Sequence, residues 1–207
     1  MSDDVAGPGN PRRPVFLGPQ AWEAFEGGLD PADRVEAAHV TARVLVGRAR
    51  STDDEQTHAR LVTLADDHGL DAVASLWSQC APESLPGALW RLYALRAWVH
   101  ADPEGASREF DAGRRLAPVL EVVAGVAEPP GPAEVEHLVD SVLGGVAAGD
   151  LAVALERAAA FCRVVAAGRA ATAADDDLAA GSRAARLVDT AAQLERAATA
   201  ARAGSLD

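Results

Sequence analysis

The sequence predicts an all-α protein, built of antiparallel helical hairpins that form a bundle or a short irregular α-solenoid. Apolar residues recur at three- and four-residue spacing through most of the chain, and no segment alternates with period two over the length of a strand. Between the apolar stretches stand helix start and stop signals: Asp30-Pro31, Ser84 with Pro86, Asp102-Pro103, Pro118, Gly69 and Gly149-Asp150.

Taken in order, residues 1–19 are rich in glycine and proline and are expected to form a disordered tail, from which Val15, Phe16 and Leu17 could dock on the body. A short helix is expected over 20–26, with Trp22 and Phe25 on one side. Asp30 as N-cap and Pro31 at the first helical position open a helix running to about Arg50, with Val35, Ala38, Ala42, Leu45 and Ala49 inward. Ser51 starts another, expected to reach His68 with Gly69 beyond its end, and Leu70 to Cys80 forms a short helix with Val73, Leu76 and Trp77 inward.

The stretch from Ser84 to Pro118 reads as the piece that the other helices pack around. Leu85, Leu89, Leu92, Leu95 and Val99 form one apolar stripe, and Trp90, Tyr93, Ala94, Ala97 and Trp98 make the other side apolar too. A helix apolar nearly all round is a buried one. Asp102-Pro103 ends it and starts a second helix, which turns Ala106, Phe110, Ala112 and Leu116 inward and stops before Pro118.

Val119 to Ala127 adds a turn or two of helix, halted by Pro129, Pro130 and Pro132, a rigid corner or hinge. Val135, Leu138, Val139, Val142 and Val146 then form a stripe, and Leu151 to Gly168 returns after the Gly149-Asp150 turn. From Thr172 to Gly204 the chain is rich in alanine, with Leu178, Leu187, Val188 and Leu194 as its large apolar residues. Alanine favours helix but buries little, so this segment is expected to lie loosely on the body or to serve as an oligomer contact, a homodimer through this helix being one use. The domain plan is thus a tail over 1–19, an all-α domain over 20–170 and an alanine-rich helix over 171–207.

Trp90, Tyr93 and Ala94, then Ala106 and Phe110, then Pro118 resemble the tetratricopeptide pattern W-x2-L-G-x2-Y, A-x3-F, P, which marks a helical hairpin of about 34 residues. The similarity covers residues 87–118. It implies that the first helix of the hairpin lines a binding groove, so that Arg91, Leu95 and Trp98 face a protein partner. A cation beside a tryptophan suits a carboxylate or an acidic peptide segment.

Composition narrows the function. All 19 basic residues are arginine, isoleucine is absent and Asn10 is the only asparagine, a bias expected of a GC-rich, bacterial genome. A net charge of −12 argues against a general affinity for nucleic-acid backbones or anionic membranes. Cys80 and Cys162 stand far apart in no paired motif and read as small buried hydrophobes in a reducing, cytoplasmic compartment. No secretory signal is expected from the acidic Met1–Asp4 start, and Glu156, Arg157 and Arg163 interrupt the longest apolar run.

Glu-x-x-His occurs three times, as Glu36/His39, Glu55/His58 and Glu134/His137. Three-residue spacing puts both side chains on one side of a helix, as in ferritin-like di-metal enzymes. If the first two helices form a hairpin about Ser51, however, those motifs differ in height by roughly 12 Å at about 1.5 Å per residue. Capping and surface ion pairs therefore account for them more simply, and the sequence assigns no metal ligand and no cofactor. The segment 61–80 places Ala65, Gly69 and Leu70 as in a helix-turn-helix, but its reading helix lacks any cation while Asp66, Asp67 and Asp71 crowd its start. No Gly-x-Ser-x-Gly, P-loop or dinucleotide fingerprint is present. Asp175, Asp176 and Asp177 read as first-turn acids answering the helix dipole.

The sequence therefore points to a non-catalytic helical module that engages a protein partner through Arg91, Leu95 and Trp98. A metal-dependent di-metal enzyme and a helix-turn-helix regulator stand as the alternatives.

Overall fold

The computed structural model describes residues 30–51, 59, 63–64, 69–126, 131–147, 149–173 and 178–207. The tail expected over 1–19, the helix over 20–26 and most of the helix expected after Ser51 lie outside the described residues. Among the described residues the protein is helical and has no strand: α1 Pro31–Ser51, α2 Leu70–Trp77, α3 Leu85–Ala101, α4 Pro103–Arg114, α5 Pro118–Ala124, α6 Pro132–Ala147, α7 Leu151–Thr172 and α8 Leu178–Arg202.

The start signals work as local chemistry requires. The Ser84 hydroxyl accepts from the backbone N–H of Gly87 at 3.2 Å, and the Asp102 carboxylate accepts from Gly105 N–H at 2.8 Å, with proline in the first turn of each helix. Leu85 N–H, otherwise an orphan donor of the first turn of α3, is bonded at 2.7 Å to the backbone carbonyl of Asp207, so the segment after α8 is tied to the start of α3. Gly69 and Gly125, at φ 84° and 72°, hold the left-handed geometry at the chain reversals before α2 and after α5.

Two helices organise the packing. α3 touches α1, α2, α4, α6, α7 and α8, while α7 packs most extensively, on α8 and α4 and then on α5, α6 and α3. The sequence therefore points to one of two axes: α7 is as central as α3, because Leu155, Ala158, Ala159, Phe161, Cys162, Val164 and Val165 bury it nearly all round.

Side-chain pairs fix the directions. Arg163 bonds Glu195 at 2.6 and 2.7 Å, and Glu156, one heptad earlier on α7, pairs with Arg202, one heptad later on α8, so the two helices are antiparallel. On the other side of the body, Arg96 meets Asp140 and His100 meets Glu136, which makes α3 antiparallel to α6. The alanine-rich helix expected over 171–207, loosely packed or an oligomer contact, corresponds to α8. Ala180, Ala184, Ala191, Leu194, Ala197 and Ala198 of α8 are buried, and α8 packs along α7. Alanine carries little surface of its own, but it lets two helix backbones come close enough for many contacts.

The closest approach is made by glycine. A Cβ at Gly168 would overlap the carbonyl oxygen of Glu109, and one at Gly113 would overlap that of Val164, so α4 and α7 cross with backbone against backbone. Phe110 and Phe161 stack beside the crossing at 5.5 Å between centroids. After Asp102, α4 accordingly packs far more on α7 than on α3.

Several inner faces differ from expectation. On α1, Ala38, Ala42 and Val46 are buried while Val35 is 48% exposed. Leu116 is 62% exposed because α4 has ended at Arg114, and Val119 and Val122 of α5 point outward as well. All five residues of the α6 stripe, Val135 to Val146, are buried as expected, and Leu143 joins them. Among the described residues no helix is long and apolar enough to cross a membrane.

Gly168→Ala is expected to cost about 2–3 kcal/mol or more, since the opposing atom is backbone and cannot rotate away. Gly144→Ala on α6, where a Cβ meets nothing within 4 Å, should instead stabilise by about 0.5–1 kcal/mol. Urea unfolding of both variants checks the contrast. The Arg163 guanidinium beside Glu195 holds that carboxyl below the usual carboxylate range. A depressed folded-state value gives stability that is present above the unfolded pKa of about 4.3 and is lost as pH falls through the folded value. Glu195→Gln, at a half-exposed pair, should cost about 0.5–1 kcal/mol at neutral pH, and the deficit should close as pH falls below about 4.

Candidate functional site

The face of α3 turned away from α1, α2 and α6 carries Trp90, Arg91, Ala94 and Trp98, at helical spacing along one side. α8 runs past it in the opposite direction and sets Leu187, Thr190 and Gln193 opposite. Between them lies a groove of two adjoining hollows that share Trp98, Leu187 and Thr190. One hollow, about 300 Å³, has Trp90, Ala94 and Leu95 on its α3 side, and the other, about 280 Å³, is closed by Arg169, Arg183 and Arg186.

All three residues named from the sequence line this groove, in different ways. Leu95, 7% exposed, forms its floor. Trp98 is half-buried, with the guanidinium carbon of Arg169 5.3 Å from its ring centroid, within cation–π range. Arg91 acts as a clasp across the groove wall, its Nε donating to Gln193 Oε1 at 2.5 Å and its Nη1 to the carbonyl of Gly87 at 2.8 Å. Desolvation lowers the Arg91 guanidinium from its ordinary value and nearby Glu83 opposes this, yet arginine starts so high that it stays charged at neutral pH. Trp90 and Trp98 are half-buried, whereas Leu89, Leu92 and Tyr93 are shut away.

Arg169 is held by the fold. Its Nε and Nη2 donate to the two carboxylate oxygens of Glu109 at 2.8 and 2.6 Å, a fork-to-fork pair only 13% and 24% exposed at its side chains. Gly168, next in sequence, is the residue at which α7 meets the backbone of Glu109. The helix crossing thus brings this pair together and seats the guanidinium under Trp98. Arg96 of α3 is buried and its Nε donates to Asp140 at 2.6 Å, while Glu109 belongs to Arg169.

Sequence reasoning missed the α8 half of the groove. The trace was Arg183, Arg186, Leu187 and Thr190, spaced to share a helix face, within a stretch that looked too poor in apolar residues to matter. It also missed a cluster on the α3–α6 seam, in which His100 lies 3.0 Å from Asp140 and 3.5 Å from Glu136. Its two carboxylates approach opposite ring nitrogens, so they do not converge on one ion.

The metal motifs are scattered. Glu36 and His39 lie on α1, Glu134 and His137 on α6, and Glu55 and His58 outside the described residues. Among the described residues no three His, Cys, Asp or Glu side chains are grouped to hold a metal ion. Glu134, His137, Ser141 and Arg157 line a hollow of about 510 Å³, in which the Ser141 hydroxyl donates to the carbonyl of Leu138. The reading helix considered for DNA is α2, which buries Val73 and Trp77 and carries no cation; Ala65 to His68 lie outside the described residues.

Comparison with protein-family models, with curated proteins and with solved structures finds no match for this chain.

Cys162 is fully buried, and burial pushes its thiol up to about 12, away from the thiolate needed for nucleophilic attack. In a Cys80→Ser background, Ellman's reagent at pH 8 should leave the folded protein unmodified and titrate Cys162 fully in guanidinium. Modification in the folded state at the unfolded rate would contradict this burial.

Proposed function

We propose that the protein is a non-catalytic helical binding module, acting in the cytoplasm of a bacterial cell, that holds a segment of a protein partner in the groove between α3 and α8. The observation that carries this is the exposure pattern of α3. Its leucines, valine and tyrosine are shut into the core, while both tryptophans stay half-open on the groove side with arginines around them. Tryptophan and arginine are the residues that most often dominate binding energy when a partner covers them. Two free, buried cysteines fit a reducing compartment.

Peptides selected from a random display library against the full chain provide the test. Thr190 lines both hollows on a solvent-facing turn of α8, so Thr190→Trp fills the groove without removing a core contact. Bound peptides should lose about tenfold or more in affinity on Thr190→Trp and on Trp98→Ala, a loss typical of a groove-centre anchor. Peptides that bind wild type and both variants equally would show that the groove is not where a partner docks.

A further inference from the structure

We propose that the hollow between α5, α6 and α7 is a second binding site, which takes a small aliphatic amino acid as its zwitterion, with the carboxylate on Arg157 and the ammonium against Glu134. It shares no lining residue with the groove, and neither reading depends on the other.

Arg157 is the observation that carries it. Among the described residues, Arg91, Arg96, Arg114, Arg163 and Arg169 are also buried or half-buried, and each donates to a side-chain oxygen. Arg157 is half-buried too, yet its bond runs from Nε to the backbone carbonyl of Ala124 at 3.3 Å, and among the described residues no carboxylate pairs with it. That bond fixes the guanidinium at the C-terminal end of α5 with its two Nη groups unspent. Gly125 keeps the place open: it takes φ 72°, and a Cβ there would stand 3.4 Å from Arg157 Nη2. Guanidinium forks match carboxylates, and a partly desolvated pair is stronger than an exposed one.

The facing wall, on α6, offers acceptors. Glu134, His137 and Ser141 line the hollow at i, i+3 and i+7 of that helix. The Ser141 hydroxyl is spent as a donor on the Leu138 carbonyl at 2.7 Å, so what it has left to offer is its lone pairs. Glu134 is held at the rim, its Oε2 2.6 Å from where a Cβ of Gly131 would stand, and among the described residues no cation pairs with it. A guanidinium and a carboxylate thus line one hollow of about 510 Å³ without meeting. Opposite charges that share a cavity and stay apart suit a ligand that carries both, each set against its opposite.

Size and net charge narrow the class. The volume falls within the roughly 300–1,000 Å³ of small-molecule sites, and Ala133 and Leu138 give an apolar patch for a short aliphatic side chain. A dianion such as phosphate would meet Glu134 and the repulsion of a chain with net charge −12, whereas a zwitterion carries no net charge.

The test titrates the ¹⁵N-labelled full chain with four probes: L-leucine, 4-methylpentanoate, which lacks the amine, 3-methylbutylamine, which lacks the carboxylate, and inorganic phosphate. Amide shifts read binding. L-Leucine should shift the Gly125 and Ser141 signals saturably below about 10 mM, and the other three should bind at least about tenfold more weakly. Arg157→Gln and Glu134→Gln should each weaken L-leucine by about tenfold or more, while Ala133→Phe, at an exposed lining position, should fill the hollow and abolish binding. Glu134 and Ala133 lie outside the apolar core, so their variants decide the matter should Arg157→Gln not fold. Equal binding of 4-methylpentanoate, indifferent to Glu134→Gln, would make the hollow an anion site and overturn the assignment, as would tighter binding of phosphate. L-Leucine shifts that persist in Ala133→Phe would place binding elsewhere, and no saturable shift with any probe would overturn the site altogether.

Discussion

The crossing of α4 and α7 at Gly113 and Gly168 is the contact on which the rest of the structure depends. With no Cβ on either residue, each helix reaches the other's carbonyl oxygens, a distance that any other residue type forbids. The aromatic stack of Phe110 on Phe161 lies beside it, and the Glu109–Arg169 pair at its rim. Because Arg169 follows Gly168 directly, the crossing also decides where the guanidinium sits, and hence what lies beneath Trp98. Packing in the core and the shape of the groove are in this way one problem, solved at two glycines.

The other helices follow from how small and large residues are shared. α7 is apolar round most of its surface and can accept neighbours on all sides, whereas α8 brings mainly alanines and one leucine to it. Small side chains on one helix against larger ones on the other allow close spacing without voids. The ion pairs along this seam, such as Arg163–Glu195 and Arg202–Glu156, set register more than stability, since they are partly open to water. Glu109–Arg169 differs because it is mostly shielded and satisfied at both oxygens, so losing one partner strands a charge.

Much of this architecture was legible in the sequence, for physical reasons that differ by element. Caps are local chemistry, so Ser84, Asp102 and the prolines after them mark the starts of α3 and α4 correctly. A stripe of large residues such as Val135 to Val146 also declares its inner face. Three things could not be read. The choice of α4 to lie on α7 is made by Gly113 and Gly168, and a helical glycine carries no sign of its distant counterpart. The role of α8 rests on alanines, which look the same in a buried seam and on a solvated helix. Charge pairing across helices depends on register, so Arg96 finds Asp140 and Arg169 finds Glu109 in a way no spacing announces. The α3 half of the candidate groove was accordingly visible, as Arg91, Leu95 and Trp98, and the α8 half was not.

The link between the glycine crossing and the groove is open to one direct measurement, the indole N–H signals of the tryptophans in ¹⁵N-labelled Gly168→Ala, recorded under conditions where the variant remains folded. Spreading α4 from α7 should carry Arg169 away from the Trp98 ring, so the Trp98 signal is expected to shift while that of Trp77, buried at the far side of α3 beside Tyr93, holds its position. A folded variant in which the Trp98 signal stays where it was would contradict the dependence of the groove on the crossing.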